Sequence, residues 1–313
     1  MSTNISNGAG PSLGAGLPGA SLNLGKRSRP AESAIKSALF GSAMLSVLIT
    51  FGIIIALIQP VLEFFGEIPL GDFFTFDETE TFAVGPLIAA TLVVTVIALL
   101  VAVPLGLGAA MYLSEYASKR ARKILKPTVE LLAGVPSVVY GFFAVVFVTP
   151  QLLQDILSLE VGFTNALAAG LVLGVMIIPT VASLAEDAFS AVPQALRQGS
   201  LAMGANRMQT TLRVVLPAAL SGVAAAVVLG LSRAVGETMI VTLAAGSQRN
   251  LSIDPREGMQ TMTGFMATTA GGENPVGSTS YNMLFAVGLT LFVITLVINM
   301  ISIALVRRYR QAY

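Results

Sequence analysis

Long apolar runs alternate with short polar connections along most of this chain. Six runs are long enough to cross a hydrocarbon core about 30 Å thick, which takes about 20 helical residues. They cover roughly 38–62, 83–113, 130–149, 165–185, 218–245 and 282–306. The pattern predicts an all-α, polytopic membrane protein with six transmembrane helices. Pro104 falls in the second run and Pro136 in the third. Spanning helices tolerate proline where neighbours satisfy the freed carbonyls, so kinks are expected at both. Residues 1–36 are rich in Gly, Ser, Asn and Pro without helical period and are read as a disordered tail. The run from Leu39 to Val61 is too long for a signal-peptide core and lacks a small-residue cleavage pattern, so it is expected to remain as an anchor.

Composition sharpens the class. Hydrophobic residues make up 54% of 313 positions and charged residues 11%; the mean hydropathy is +0.80. A soluble domain carries about 25% charged residues. The chain has no cysteine and no histidine, which excludes disulfides, thiolate or imidazole metal sites, and catalytic arrangements built on those side chains. No catalytic residue and no metal site is expected.

The distribution of Lys and Arg sets the expected orientation. Fifteen of the eighteen lie in the tail (Lys26, Arg27, Arg29, Lys36), the second connection (Lys119, Arg120, Arg122, Lys123, Lys126), the fourth (Arg197, Arg207, Arg213) and the C-terminus (Arg307, Arg308, Arg310). The positive-inside rule then places both termini in the cytoplasm. The domain plan that follows is a cytoplasmic tail at 1–36, a first helix with an acidic outer loop at 37–82, a core at 83–306 and a basic cytoplasmic end at 307–313. That first outer loop carries Glu63, Glu67, Asp72, Asp77, Glu78 and Glu80 with no basic residue, which weighs against capture of an anion at its surface.

The fourth connection, 186–217, is longer than a simple link needs, so it is expected to have structure of its own. Leu196, Leu201, Met208, Leu212 and Val215 recur near helical spacing, with Gly204 between them and Pro217 opening the next span. Two short helices around a glycine fit this pattern; a surface hairpin that only joins two spans fits it too.

Within the fifth run, "GLSRAVGETMIVTLAAG" carries Arg233 and Glu237. An insertion cost of about 2.5–3.5 kcal/mol per charge at a helix centre makes such residues functional candidates. On a continuous helix, residues four apart share a face, so the two are expected to meet. Gly222, Ala226, Gly230 and Ala234 form a neighbouring stripe of small residues that admits another helix. Two readings stand: a salt bridge that fixes packing, or a polar site on a transport path in which the planar Arg fork grips an oxyanion. Thr238 and Thr242 add hydroxyls that in membrane helices often bond back to their own backbone. In the third run, Gly134, Pro136 and Gly141 mark a broken helix, and Ser137 and Tyr140 are candidates to line a pathway there. The fifth connection, Gly246 to Tyr281, is Gly- and Thr-rich; its Met-containing run "GMQTMTGFMATTA" is read as lying on the outer surface or receiving a partner protein there, with Arg249 and Arg256 solvated.

Several stretches carry a resemblance. "GSLAMGANRMQTTLRVVLP" resembles the cytoplasmic EAA loop of ABC importer permeases, matched at Gly204, Ala205, Leu216 and Pro217, with Gln198, Gly199 and Ser200 where that family has Glu-Ala-Ala. "YLSEYASKRARKILKPTVELLAGVPSVVYGFF" and "RAVGETMIVTLAAG" are similar to the membrane subunits of phosphate-specific ABC importers, and the Gly-Glu-Thr-Met run is closer to their PstC type than to their PstA type. The resemblance implies a MetI-like permease fold in the bacterial inner membrane. It further implies a PstA-type second permease subunit, two ATPase subunits docked on the loop, a periplasmic phosphate-binding protein and surrounding membrane lipid. It assigns Arg233 and Glu237 to transport.

The only Gly-Lys pair, Gly25-Lys26, lacks the rest of a phosphate-cradling loop. ATP and Mg²⁺ are therefore expected on a partner ATPase and no cofactor on this chain; nucleic acid is no partner. Permeation of phosphonate, sulfate or molybdate, and a secondary anion transporter, are the alternatives.

Overall fold

The structure is a computed structural model that describes residues 30–308, with side chains from 32 to 304. The expected tail lies outside the described residues up to position 29, as do positions 309–313 of the expected basic end. Every regular element among the described residues is helical. α1 spans Pro30–Glu67, which makes residues 30–36 helical rather than part of the tail. Proline suits a first helical turn, where its missing N–H is not needed, and Glu32 complements the positive end of the helix dipole.

The chain divides within α1 into two units, Met1–Ile54 and Ile55–Tyr313. In the first, the described part of α1 is apolar on all sides, with Leu39, Phe40, Leu45, Leu48 and Phe51 exposed. A helix apolar all round suits lipid or a protein partner.

The second unit starts with the end of α1 and the short α2 (Leu70–Phe73). α3 (Gly85–Met111) runs on through Pro104 and finishes in a π-helical turn, Tyr112–Tyr116. α4 (Lys119–Leu132) follows, then α5 (Ser137–Phe143), which continues as a π-helix, Ala144–Ile156. The most buried of the crossing helices among the described residues is α6 (Ala166–Ser190). After it come α7 (Gln194–Ala202), α8 (Arg207–Thr210) with a π turn at Thr211–Val215, and α9 (Leu216–Ala218). α10 (Leu220–Val235), α11 (Met239–Ala244), α12 (Met262–Ala270) and α13 (Thr279–Arg308) complete the chain.

Among the described residues five helices are long and apolar enough to cross a membrane, and a sixth crossing results if Arg207–Ala218 and Leu220–Val235, bent by 73°, count as one. The protein is thus a multi-pass membrane protein, with two departures from the expected spans. The run 130–149 begins its crossing later, at Ser137, because Gly134 and Pro136 end the amphipathic α4. The run 218–245 is not continuous: α10 stops at Val235 and the chain restarts as α11.

α3 and α6 form the centre. Gly170 and Gly174 of α6 let the two backbones approach; a Cβ on Gly174 would stand 2.8 Å from the Ala98 carbonyl oxygen, and one on Gly170 2.6 Å from Ile97 Cβ. Around them pack Val94, Ala98, Val172, Leu173 and Ile177 with Ile240 and Val241 of α11. A second cluster joins Phe64, Phe73 and Leu87 to Met262, Phe265 and Met283. Here α12 departs from expectation: the Met-containing stretch is a helix buried against α3, α11 and α13 rather than an outer surface segment. Apolar Met262 and Phe265 drive that burial, and Thr261 caps the helix by accepting from Gly264 N at 3.1 Å.

Candidate functional site

The break between α10 and α11 places the two charges differently from the pattern of a continuous helix. Arg233 sits in the last turn of α10, where a cation complements the helix dipole. It is partly buried and donates from Nη1 to Thr180 Oγ1 of α6 at 2.9 Å. Glu237 lies in the break, and its Oε1 accepts from Met239 N at 3.1 Å and Ile240 N at 3.4 Å, the first amides of α11. These orphan donors need an acceptor where water is scarce. Among the described residues no ion pair joins Arg233 to Glu237, nor Arg233 to any other carboxylate. The expected meeting of the two is corrected: Gly236 ends the helix, and the carboxylate turns onward to the next one.

The break is tied from outside as well. Thr263 Oγ1 of α12 donates to the Glu237 carbonyl oxygen at 2.6 Å, and Met262 N donates to Thr91 Oγ1 of α3 at 3.0 Å. Thr242 bonds back to the Thr238 carbonyl at 2.7 Å, as expected of a membrane threonine, while the Thr238 hydroxyl reaches the Gly236 carbonyl at 3.4 Å.

α5 packs directly on α11. Gly141 makes this possible, since a Cβ there would lie 3.2 Å from the Met239 carbonyl oxygen and 2.8 Å from Leu243 Cδ1. The helix break before α5 is as expected, and Tyr140 bridges it by donating to the Leu132 carbonyl at 3.1 Å. Ser137 is partly buried in the first turn of α5. Arg233, Glu237 and Thr238 thus lie on the α10–α11 strip, with Ser137 and Tyr140 on the helix packed against its second half.

The long connection has the expected two helices around a glycine. Gly204 has φ +87° and ends α7 in a Schellman motif: Ala205 N donates to Ser200 O at 3.2 Å and Gly204 N to Leu201 O at 3.0 Å. Asn206 then opens α8 with a capping box closed by Gln209. Leu216 and Pro217 form α9 at the bend into α10. Leu201, Met203, Met208 and Leu212 are exposed on this loop, Met203 at 88%.

Sequence reading missed the polar ties beneath the loop. Glu186, fully buried, accepts from Arg122, from Lys126 Nζ at 2.6 Å and from Ser190 Oγ at 3.0 Å. Hydrogen bonds from Lys126 to Glu186, and then to Asp187, raise the Lys126 pKa above its ordinary value. Arg197 pairs with Glu115 at 2.8 Å. The signal was present as carboxylates at the ends of two apolar runs facing connections rich in Arg and Lys, but one-dimensional spacing does not pair them. At the other end, Arg249 is not solvated as expected. It lies 4.7 Å over the Phe265 ring, bonds the Thr81 carbonyl, and has its pKa lowered by burial. Arg256 pairs with Asp254 at 2.6 Å and holds that carboxyl down at about 2. Among the described residues no group of three or more carboxylates is placed to hold a metal.

Comparison with known proteins gives a consistent picture. Residues 102–311 match the family described as binding-protein-dependent transport system inner membrane component. The chain is 39% identical to a probable ABC transporter permease, YqgH, of Bacillus subtilis over 70% of each chain. It is 37% identical to the phosphate transport system permease protein PstC 1 of Mycobacterium tuberculosis, over 71% of this chain and 72% of that one. With PstC of Haemophilus influenzae it shares 30% identity over 90% of this chain and 94% of the relative. Among solved structures, the fold matches a chain of a bacterial alginate ABC transporter with a TM-score of 0.67 at 18% identity, over 90% of this chain and 97% of that one.

Proposed function

Because the chain belongs to the family of binding-protein-dependent transport system inner membrane components, we propose that it is a permease subunit of an ATP-driven importer of inorganic phosphate. In this reading it forms the translocation pathway with a second, PstA-type permease subunit. A periplasmic phosphate-binding protein delivers the substrate, and two ATPase subunits bind ATP and Mg²⁺ on the cytoplasmic side. Both termini are cytoplasmic, and the loop around Gly204, Ala205, Leu216 and Pro217 is where an ATPase docks. The exposed Leu201, Met203, Met208 and Leu212 offer that partner apolar anchors.

The observation that carries the phosphate reading is the state of Arg233. Its half-buried charge has no carboxylate in ion-pair contact among the described residues, and there one of its five N–H donors has a partner, the Thr180 hydroxyl. Even half-burying a charge without a counter-ion is costly, and a passing oxyanion supplies the counter-charge while matching the remaining donors. Glu237 stands one break away, and phosphate, unlike sulfate, keeps a proton near neutral pH with which to donate to a carboxylate. Thr238 provides a hydroxyl on the same strip, and Ser137 and Tyr140 provide hydroxyls on the helix packed against its second half.

Uptake of labelled phosphate into proteoliposomes holding the four-chain membrane complex and the binding protein tests the reading. Uptake should require ATP, be blocked by vanadate, resist excess sulfate and fall to background in Arg233→Ala. Vanadate-insensitive uptake driven by a proton gradient would overturn it.

A further inference from the structure

Among the described residues, Arg197 and Glu115 form the most enclosed ion pair that does not involve Glu186, with side-chain exposures of 11% and 9%. Arg197 belongs to the first turns of α7, and Glu115 to the π turn that ends α3. The guanidinium donates to Glu115 from Nε at 3.2 and 3.3 Å and from Nη2 at 2.8 Å. It also donates from Nη2 to the Phe189 carbonyl at 2.7 Å and from Nη1 to the Val192 carbonyl. Both carbonyls lie where α6 ends and turns into α7, so the cation also answers the negative end of the α6 dipole. A single planar group therefore fastens three elements: the end of α3, the end of α6 and the start of α7.

The placement of this clamp matters because of what each element carries. α7 precedes the Gly204 break and the exposed apolar side chains of the loop. α3 and α6 are the most closely packed helices of the bundle, and α6 bears Thr180, the hydrogen-bond partner of Arg233. Ala191, Val192 and Pro193 alone join α6 to α7 along the backbone, and buried Val192 packs there with Phe189 and Val215, so the angle between the two helices is set by this short link together with the side chains that cross it. A buried ion pair is weak evidence for stability, since its desolvation offsets much of its attraction. Its fork geometry, by contrast, fixes an orientation.

We propose that Arg197, held by Glu115, is the positioning residue that locks α7 to α3 and α6, so that a push on the loop moves the helices bearing the Arg233 site instead of bending the 191–193 link. This rests on the reading of the loop as the docking place of an ATPase. The role is distinct from docking, because Arg197 is turned inward and leaves the exposed face of the loop intact.

The test uses the full complex in proteoliposomes and measures phosphate imported per ATP hydrolysed, together with co-purification of the ATPase subunits. Arg197→Gln and Glu115→Gln should each retain the ATPase subunits and hydrolyse ATP, yet import about three- to tenfold less phosphate per ATP, the size of effect expected along a coupling route. The double variant should be no worse than either single one, since both remove the same clamp. Arg197→Lys should rescue only partly, because a point charge cannot hold two carbonyls and a carboxylate in one plane. If Arg197→Gln does not assemble, Glu115→Gln, which keeps the shape and an acceptor oxygen, decides by the same ratio. A native ratio in an assembled Arg197→Gln or Glu115→Gln complex overturns the proposal. Absence of ATPase subunits from the native complex would instead defeat the docking reading on which it rests.

Discussion

The separation of Arg233 from Glu237 can be measured by a double-mutant cycle built from Arg233→Ala and Glu237→Ala. Arg233→Ala removes a charged donor from Thr180; such a bond contributes about 1.5–3 kcal/mol, less whatever the freed hydroxyl regains by bonding to its own helix. Glu237→Ala uncovers the amides of Met239 and Ile240, a loss of the kind that costs about 0.5–2 kcal/mol at helix N-termini. The two changes touch different partners, Thr180 in one case and the α11 backbone in the other, so their effects should add to within about 0.5 kcal/mol. Were the residues an enclosed ion pair, removing one partner would cost about 3–5 kcal/mol and removing the second would return much of it. Thermal unfolding of the purified complex gives the four stabilities. The expected result is near-additivity, with the Arg233→Ala complex assembling well but importing no phosphate. A coupling energy above about 2 kcal/mol would refute the geometry and restore the packing salt bridge.

Three further outcomes follow from positions whose surroundings are equally defined. Gly204→Val forces a β-branched residue to φ +87° with no neighbour to clash with, so only the loop should suffer, by about 1–3 kcal/mol of local strain. Pull-down should then show weaker ATPase association at unchanged membrane insertion, and native association would count against the loop assignment. Gly174→Val drives side-chain atoms into the Ala98 carbonyl and Val101, at a cost of about 1–3 kcal/mol or more; a fall in the unfolding temperature of the complex is expected, and an unchanged one would mean that α3 and α6 are not so close. Single cysteines at the exposed positions Thr79 and Val276 should react with an impermeant maleimide added to intact cells, and one at Ser118 should not; labelling of Ser118 would invert the orientation.

Much of the fold was legible because hydrocarbon thickness dictates span length. The runs 83–113, 165–185 and 282–306 became single helices near their expected bounds. The loop glycine was legible too, since Gly204 between two amphipathic stretches left few other conformations for the chain. Hydropathy did not reveal the break at Gly236, for the run stays apolar overall despite Arg233 and Glu237, and a lone glycine is tolerated inside helices. The burial of α12 was equally hidden, because nine residues with three threonines resemble a surface segment until Thr91 and Arg249 are seen around them. The three π-helical stretches at Tyr112–Tyr116, Ala144–Ile156 and Thr211–Val215 depend on tertiary packing, and local sequence offers no rule for them.

These unforeseen features share one cause, which bears on the site itself. A broken helix in an apolar bundle exposes backbone groups that water cannot reach, so side chains must answer them. Glu237 answers the amides of α11, Thr263 donates to the Glu237 carbonyl, Thr91 accepts from Met262, and Tyr140 donates to the Leu132 carbonyl at the other break. Each of these side chains is accounted for by the fold alone, including the carboxylate that the sequence pattern paired with Arg233. Arg233 differs: the fold satisfies one of its donors, through Thr180, and supplies no counter-charge. Stability alone would favour an apolar residue there, since even a half-buried charge without a counter-charge carries a desolvation cost. In the reading proposed above the guanidinium is the group at this break left to meet a substrate, while the Glu237 carboxylate serves the backbone that holds the break open.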